Sequence, residues 1–256
     1  MVDNSKPTNP TPESRSPELI VVYDNNPYDN KLYTAHGFSC LVRLTRKTIL
    51  FDTGGDSSTL LYNLGKLEID PGEVDDVFLS HIDGDHTGGL GGFLEQNRAV
   101  TIYLPQSFPK YFKEEIISTG VKVKEVSAAR ELLPGVYTTG ELGGGIIEQS
   151  LVVRTSQGLV VMTGCAHPGI VKIIGKAKEV VPGNRVYLAI GGFHLSGTSP
   201  AQIEAIISNL LRLGVYKAAP CHCSGNEARR LFEKNYGANY MEVGAGKRIP
   251  LPLIYA

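Results

Sequence analysis

Cysteine is scarce in this sequence: four residues in 256, with Cys40 and Cys165 isolated and Cys221 and Cys223 on either side of His222. That spacing excludes a disulfide framework and points to a reducing, cytoplasmic compartment. Long hydrophobic runs are missing too. None approaches the roughly 18 residues of a membrane span, so no membrane role is expected. Neither charge predominates, with 25 basic against 26 acidic side chains. Nucleic acid is therefore not an expected partner, which leaves a small-molecule substrate. The first residues lack the basic and apolar regions of a secretory signal. Two further gaps bear on chemistry: no aspartate follows Asp85, and no histidine lies between His86 and His167.

What is present fits a globular α/β protein. Residues 1–17 are rich in Pro, Ser, Thr and Asn and are expected to form a disordered tail. Residues 18–256 are expected to form one layered domain, since no Pro-rich or charged linker interrupts them. Apolar β-branched runs predict strands at 19–22, 38–44, 48–51, 74–79, 100–104, 121–126, 149–154, 159–162, 186–190 and 215–219. Helices are expected at 59–64, 89–96, 109–118, 168–180, 200–213 and 226–235. The clearest is the helix starting at Pro200. Ser199 caps it, Ile203, Ile206, Ile207, Leu210 and Leu211 form its apolar stripe, and Gly214 follows its end.

Five of the six histidines follow apolar strands. The run Val77–Ser80 leads to His81, Asp83, Asp85 and His86; later runs lead to Cys165 and His167, to His194, and to His222. Strand ends of α/β sheets are where ligands collect. The segment from His81 to His86 packs four metal-competent side chains into six residues, and its two carboxylates repel unless a cation compensates them. His36 is read as a loop residue beside the ligands. Cys221 and Cys223 are read as small buried hydrophobes.

These residues resemble the metallo-β-lactamase superfamily. Its H-x-H-x-D-H pattern is matched by His81, Asp85 and His86, and its preceding turn by Ile49 to Gly55. Thr163-Gly164-Cys165 resembles its T-G-D turn, and Pro220-Cys221-His222 its last histidine motif. The segments around His167 and His194 look like the branch of class II metal-dependent hydrolases, which includes dihydropterin ribofuranosyl-aminobenzene phosphate synthases. The resemblance implies an αββα sandwich with metals at one edge. Two departures stand out: Asp83 replaces the family's second histidine, and Cys165 replaces its bridging aspartate. The expected ligands are His81, Asp83 and His167 for one metal and Asp85, His86 and His222 for a second, with Cys165 a ligand or a neighbour of the ligands. Zinc is the expected ion, with iron or manganese as alternatives.

The implied chemistry is attack by metal-bound hydroxide on an ester, lactone or phosphoester, with Asp85 accepting a proton and His194 protonating the leaving group. Two other readings share the fold: a di-iron protein that reacts with oxygen, and a pterin-linked transferase acting on a phosphorylated substrate. The loops 106–117 and 140–147 are expected to set specificity but contain no residues that name a ligand.

Overall fold

The computed structural model describes residues 16–252. The expected N-terminal tail falls almost wholly outside them. At its end the carbonyl of Pro17 accepts a hydrogen bond from the Leu251 amide at 2.9 Å.

Two mixed sheets lie face to face with helices on both outer surfaces. The first contains β1 (Glu18–Tyr23), β2 (Ser39–Arg43), β3 (Thr48–Phe51), β4 (Asp76–Phe78), β5 (Thr101–Pro105), β6 (Lys122–Val126) and β13 (Arg248–Pro250), in the order β13-β1-β2-β3-β4-β5-β6. The second contains β7 (Ala128–Leu133), β8 (Val136–Gly140), β9 (Leu151–Thr155), β10 (Gly158–Thr163), β11 (Val186–Gly192) and β12 (Val215–Cys221), in the order β12-β11-β10-β9-β8-β7. Each sheet combines antiparallel hairpins with a parallel flank: β3 to β6 in one, β10 to β12 in the other.

Both faces of the central strands are covered, so their sequences are apolar throughout instead of alternating. In β10, Val160 and Met162 enter the layer between the sheets, while Leu159 and Val161 meet the helices outside. The first sheet is covered by α1 (Ser57–Lys66), α3 (Leu90–Gln96) and α4 (Lys110–Ser118), through Leu60, Leu64, Phe93 and Ile116. The second is covered by α5 (Ile170–Val180), α6 (Pro200–Arg212) and α7 (Asn226–Tyr236). This is the expected αββα arrangement.

The expected cap of α6 is present as a reciprocal pair between Ser199 and Gln202. Leu211 departs from the expected stripe and is 47% exposed, because it lies about 100° around the helix from the buried Leu210. The short helix α2 (Gly84–Thr87) carries the acidic segment itself. Among the described residues, no helix is long and apolar enough to cross a membrane.

Candidate metal centre

The strands deliver polar residues to one edge of the sandwich. After β4 come His81, Asp83, Asp85 and His86; after β3, Asp52; after β10, Cys165 and His167; after β11, His194; after β12, His222; after β1, Asp24 and Asn25. Four of the five described non-glycine residues with positive φ are at these ends: Asp52, Ala166, His194 and His222. A left-handed backbone costs an L-residue about 1–2 kcal/mol, so the surrounding contacts hold these turns in place. Close packing also demands glycine. A Cβ on Gly192 would lie 2.4 Å from the Gly164 carbonyl and 2.6 Å from Cys223 Sγ.

All six histidines join one series of ring contacts. Centroids are separated by 5.2 Å between His36 and His222, 4.9 Å between His222 and His86, and 4.1 Å between His86 and His81. The series continues at 4.7 Å to His167 and 4.6 Å to His194. His36 therefore belongs to the site more closely than the sequence reading placed it.

Two donor groups meet at Cys165. In the first, Asp85, His86, Cys165 and His222 each offer a ligand atom within 4.8 Å of the others. His86 Nε2 is 3.2 Å from both Cys165 Sγ and His222 Nε2, and Cys165 Sγ is 3.3 Å from His222 Nε2. Asp85 Oδ2 is 3.4 Å from His86 Nε2 and 3.2 Å from His222 Nε2. Donors about 2.0 Å from a tetrahedral centre are about 3.3 Å apart, so this spacing suits a single cation. In the second group, His81, Cys165 and His167 converge likewise. Asp83 Oδ2 stands 3.5 Å from His81 Nε2 and 3.9 Å from His167 Nε2.

The outer nitrogens of these histidines are already committed. Ser80 donates its hydroxyl proton to Asp52 Oδ2 at 2.7 Å, so its oxygen accepts from His81 Nδ1 at 2.8 Å. The same Asp52 oxygen takes His86 Nδ1 at 2.7 Å. Glu148 Oε2 lies 3.1 Å from His167 Nδ1, and Asn25 Oδ1 lies 2.8 Å from His222 Nδ1. With each Nδ1–H so used, the four Nε2 atoms face inward, which is how metal-binding histidines are held. His81 Nε2 is buried and makes no hydrogen bond. A buried lone pair left in this way fits a cation.

The electrostatics agree. Burial disfavours charge on His86, yet the Asp52 and Asp85 carboxylates push its pKa up to about 10, putting a proton where a cation would sit. Burial and the neighbouring His86 charge lower His222 to about 4, despite the opposing Asp85 carboxylate, so it stays a neutral donor. Burial opposes ionisation of Glu148, but hydrogen bonds from His167 and the backbone hold its carboxyl at about 2. The contact with Cys223 and burial both raise the Cys165 thiol; a thiolate there requires a neighbouring cation. Burial and the neighbouring His167 lower His194.

Asp52, Glu148 and Asn25 carry no role that the sequence motifs supply, yet each orients a donor. Glu148 also accepts from the amides of Gly164, Cys165, Ala166 and His167, fixing the turn that bears two donors. Cys221 is a buried hydrophobe as expected, but half-buried Cys223 departs from that reading. It follows His222 into the turn after β12 and joins Cys165 and His194 within 4.8 Å. The cleft above the centre, about 420 Å³, is lined by Asn25, His36, His194, Ser196, His222 and Asn226. A larger open groove of about 640 Å³ lies at the opposite strand ends, around Arg154 and Arg185, away from the clustered donors.

Comparison with known proteins places this arrangement. Residues 33–174 match the metallo-beta-lactamase superfamily. The 7,8-dihydropterin-6-methyl-4-(beta-D-ribofuranosyl)-aminobenzene-5'-phosphate synthase of Methanocaldococcus jannaschii is 30% identical, over 87% of this chain and 92% of its own. The structure of Tm1679, described as a metal-dependent hydrolase of the beta-lactamase superfamily, is also 30% identical, with a TM-score of 0.78 over 91% of this chain and 98% of its own. Human tRNase Z, short form, shares the fold at 15% identity, with a TM-score of 0.63 over 92% of this chain and 100% of its own. The matched span includes both donor-bearing turns from His81 to His167, and the chain belongs to the metallo-beta-lactamase superfamily.

Proposed function

We propose that this protein is a metal-dependent hydrolase of an ester, lactone or phosphoester in a small molecule. Two cations would be held, with the Cys165 sulfur within reach of both donor groups. The observation that carries this reading is the inward convergence of four Nε2 atoms, Asp85 Oδ2 and Cys165 Sγ, with every Nδ1 of those histidines bonded outward. His81, Cys165 and His167, joined by Asp83, would hold one cation; Asp85, His86, Cys165 and His222 would hold the other. Zinc suits this mixed nitrogen, oxygen and sulfur set. Bound divalent metal supplies an acidified water and a Lewis acid for the substrate's oxygen.

The chain's own groups do the rest. Asp85 Oδ2 lies where the attacking water's proton can be accepted. His194 stands at the rim beside His167, where an N–H can be directed to the leaving group. Cys165 lies between the two groups and shapes the metal site; it is not assigned a covalent step.

A second reading is group transfer onto a phosphorylated ribofuranosyl-aminobenzene. It is supported by the 30% identity to the archaeal synthase over nearly all of that enzyme. Elemental analysis followed by assays of the metallated protein separates the readings. Turnover of generic phosphodiesters or lactones supports hydrolysis, whereas turnover only when a dihydropterin and ribofuranosyl-aminobenzene phosphate are coupled supports transfer. A fully metallated protein inert in every assay contradicts both, and iron as the sole active metal favours the oxygen-reactive alternative.

A further inference from the structure

The structure assigns Asn25 as a positioning residue that gives two histidines opposite tautomers. Through it His222 becomes a metal donor and His36 becomes the hydrogen-bond donor that clamps Asp85. This rests on the proposed metal centre and extends it to two residues outside the donor set.

The orientation of the Asn25 amide is fixed by the backbone. The Gly37 N–H must donate, and it lies 3.0 Å from Asn25 Oδ1, so that atom is the oxygen. The same oxygen lies 2.8 Å from His222 Nδ1, which therefore carries a hydrogen and leaves His222 Nε2 bare toward the donor group. The other end of the amide, Nδ2, can only donate, and it lies 3.1 Å from His36 Nδ1. His36 Nδ1 is thus the bare nitrogen, and the hydrogen of that ring is on Nε2. That atom is 3.1 Å from Asp85 Oδ2, to which it donates.

Asp85 Oδ2 therefore meets the Nε2 atoms of His86 and His222 on the buried side and one N–H, from His36, on the solvent side. The N–H satisfies a carboxylate lone pair and restrains the side chain from turning outward. With the His86 proton displaced, the inner side is left for a cation. The backbone is built to maintain this contact: the Phe38 amide donates to the Asp85 carbonyl at 3.2 Å. Gly37 has φ +145, and a Cβ there would lie 2.5 Å from the same carbonyl. Asn25 and His36 both line the cleft over the centre, so the clamp stands at its entrance.

The test reads tautomers directly. Long-range ¹H–¹⁵N spectra of the full chain, recorded without metal and after adding Zn²⁺, report which nitrogen of each imidazole carries hydrogen. The expected pattern is hydrogen on Nε2 of His36 and on Nδ1 of His222. In Asn25→Asp both side-chain oxygens accept, so His36 Nδ1 should gain a hydrogen while the His222 pattern is retained. Zn²⁺ affinity, read by competition with a chromophoric chelator, should fall by about 10–100-fold where the His36 clamp is lost without a new charge being introduced, the range for losing an orienting contact to a ligand. If Asn25→Asp does not fold, a pair of variants at exposed His36 carries the test. His36→Gln, which keeps a donor near the Nε2 position, should retain most of the affinity that His36→Leu loses. Hydrogen on Nδ1 of wild-type His36, or equal affinity in the Gln and Leu variants, would overturn the assignment. A wild-type protein that binds no Zn²⁺ but shows the expected tautomers would instead refute the proposed metal centre and leave the tautomer assignment standing.

Discussion

The two donor groups around Cys165 differ in how firmly the fold holds them. His86 and His222 have no exposed side-chain surface and Asp85 has 20%, and the contacts among these donors and Cys165 run from 3.2 to 3.4 Å. In the second group His81 is buried, but Asp83 is 38% exposed and stands 3.5 and 3.9 Å from its partners. Four donors of the first group stand within 4.8 Å of one another, whereas the second brings three that close and has Asp83 at its exposed margin. Preorganised donors pay less ordering entropy on binding. Two cations should therefore bind with unequal affinity, the tighter at His86 and His222.

The most severe way to break this difference is to remove a central donor. His86→Ala should eliminate the tighter cation and lower turnover by roughly a thousandfold or more, the scale of several kcal/mol of metal stabilisation. Elemental analysis would show the loss, and unchanged metal content would place the tight position elsewhere. Next comes Asp85→Asn, which preserves size but removes the inward charge. Turnover should fall at least about a hundredfold while circular dichroism stays native; wild-type turnover would deny Asp85 any role.

A paired comparison sharpens the contrast further. Asp52 holds His86 directly and His81 through Ser80, whereas Glu148 bonds the His167 ring and the backbone of the turn that carries Cys165 and His167. Asp52→Asn should weaken both cations by about 10–100-fold, and Glu148→Gln should weaken the looser one by as much but the tighter one less, since it reaches that one only through the backbone of Cys165. Stepwise chelator titration distinguishes the two patterns, and identical profiles would contradict separate groups. The smallest effect belongs to Asp83→Ala. Its exposure should limit the loss to less than about tenfold at the looser cation, and a change at the tighter one would show that the groups are not distinct.

Much of this was legible in the sequence because burial on both faces writes itself as apolar runs. Strands such as β3 and β10 stand out for that reason. β7, which reads AARELL, and β13, which contains Pro250, escaped because they are sheet edges, where charge and proline are tolerated and the pattern fades. The donors were legible for a related reason: polar side chains directly after buried strands have few structural uses. Their orienting partners were not. Asp52 reaches His86 across 34 positions, and Asn25 reaches His222 across 197. Nothing local to Glu148 signals that it will meet the turn at Cys165. Cys221 and Cys223 flank one histidine yet part company, the first into the layer between the sheets and the second into the site rim, because the chain leaves β12 between them.

Anomalous diffraction at the zinc edge from crystals grown with Zn²⁺ tests the shared-sulfur centre most directly. The expected result is two peaks per chain, one about 2.0–2.3 Å from donors of Asp85, His86 and His222 and the other equally close to His81 and His167, with Cys165 Sγ about 2.3 Å from both. A single peak, or two peaks with the Cys165 sulfur turned away from them, would contradict it.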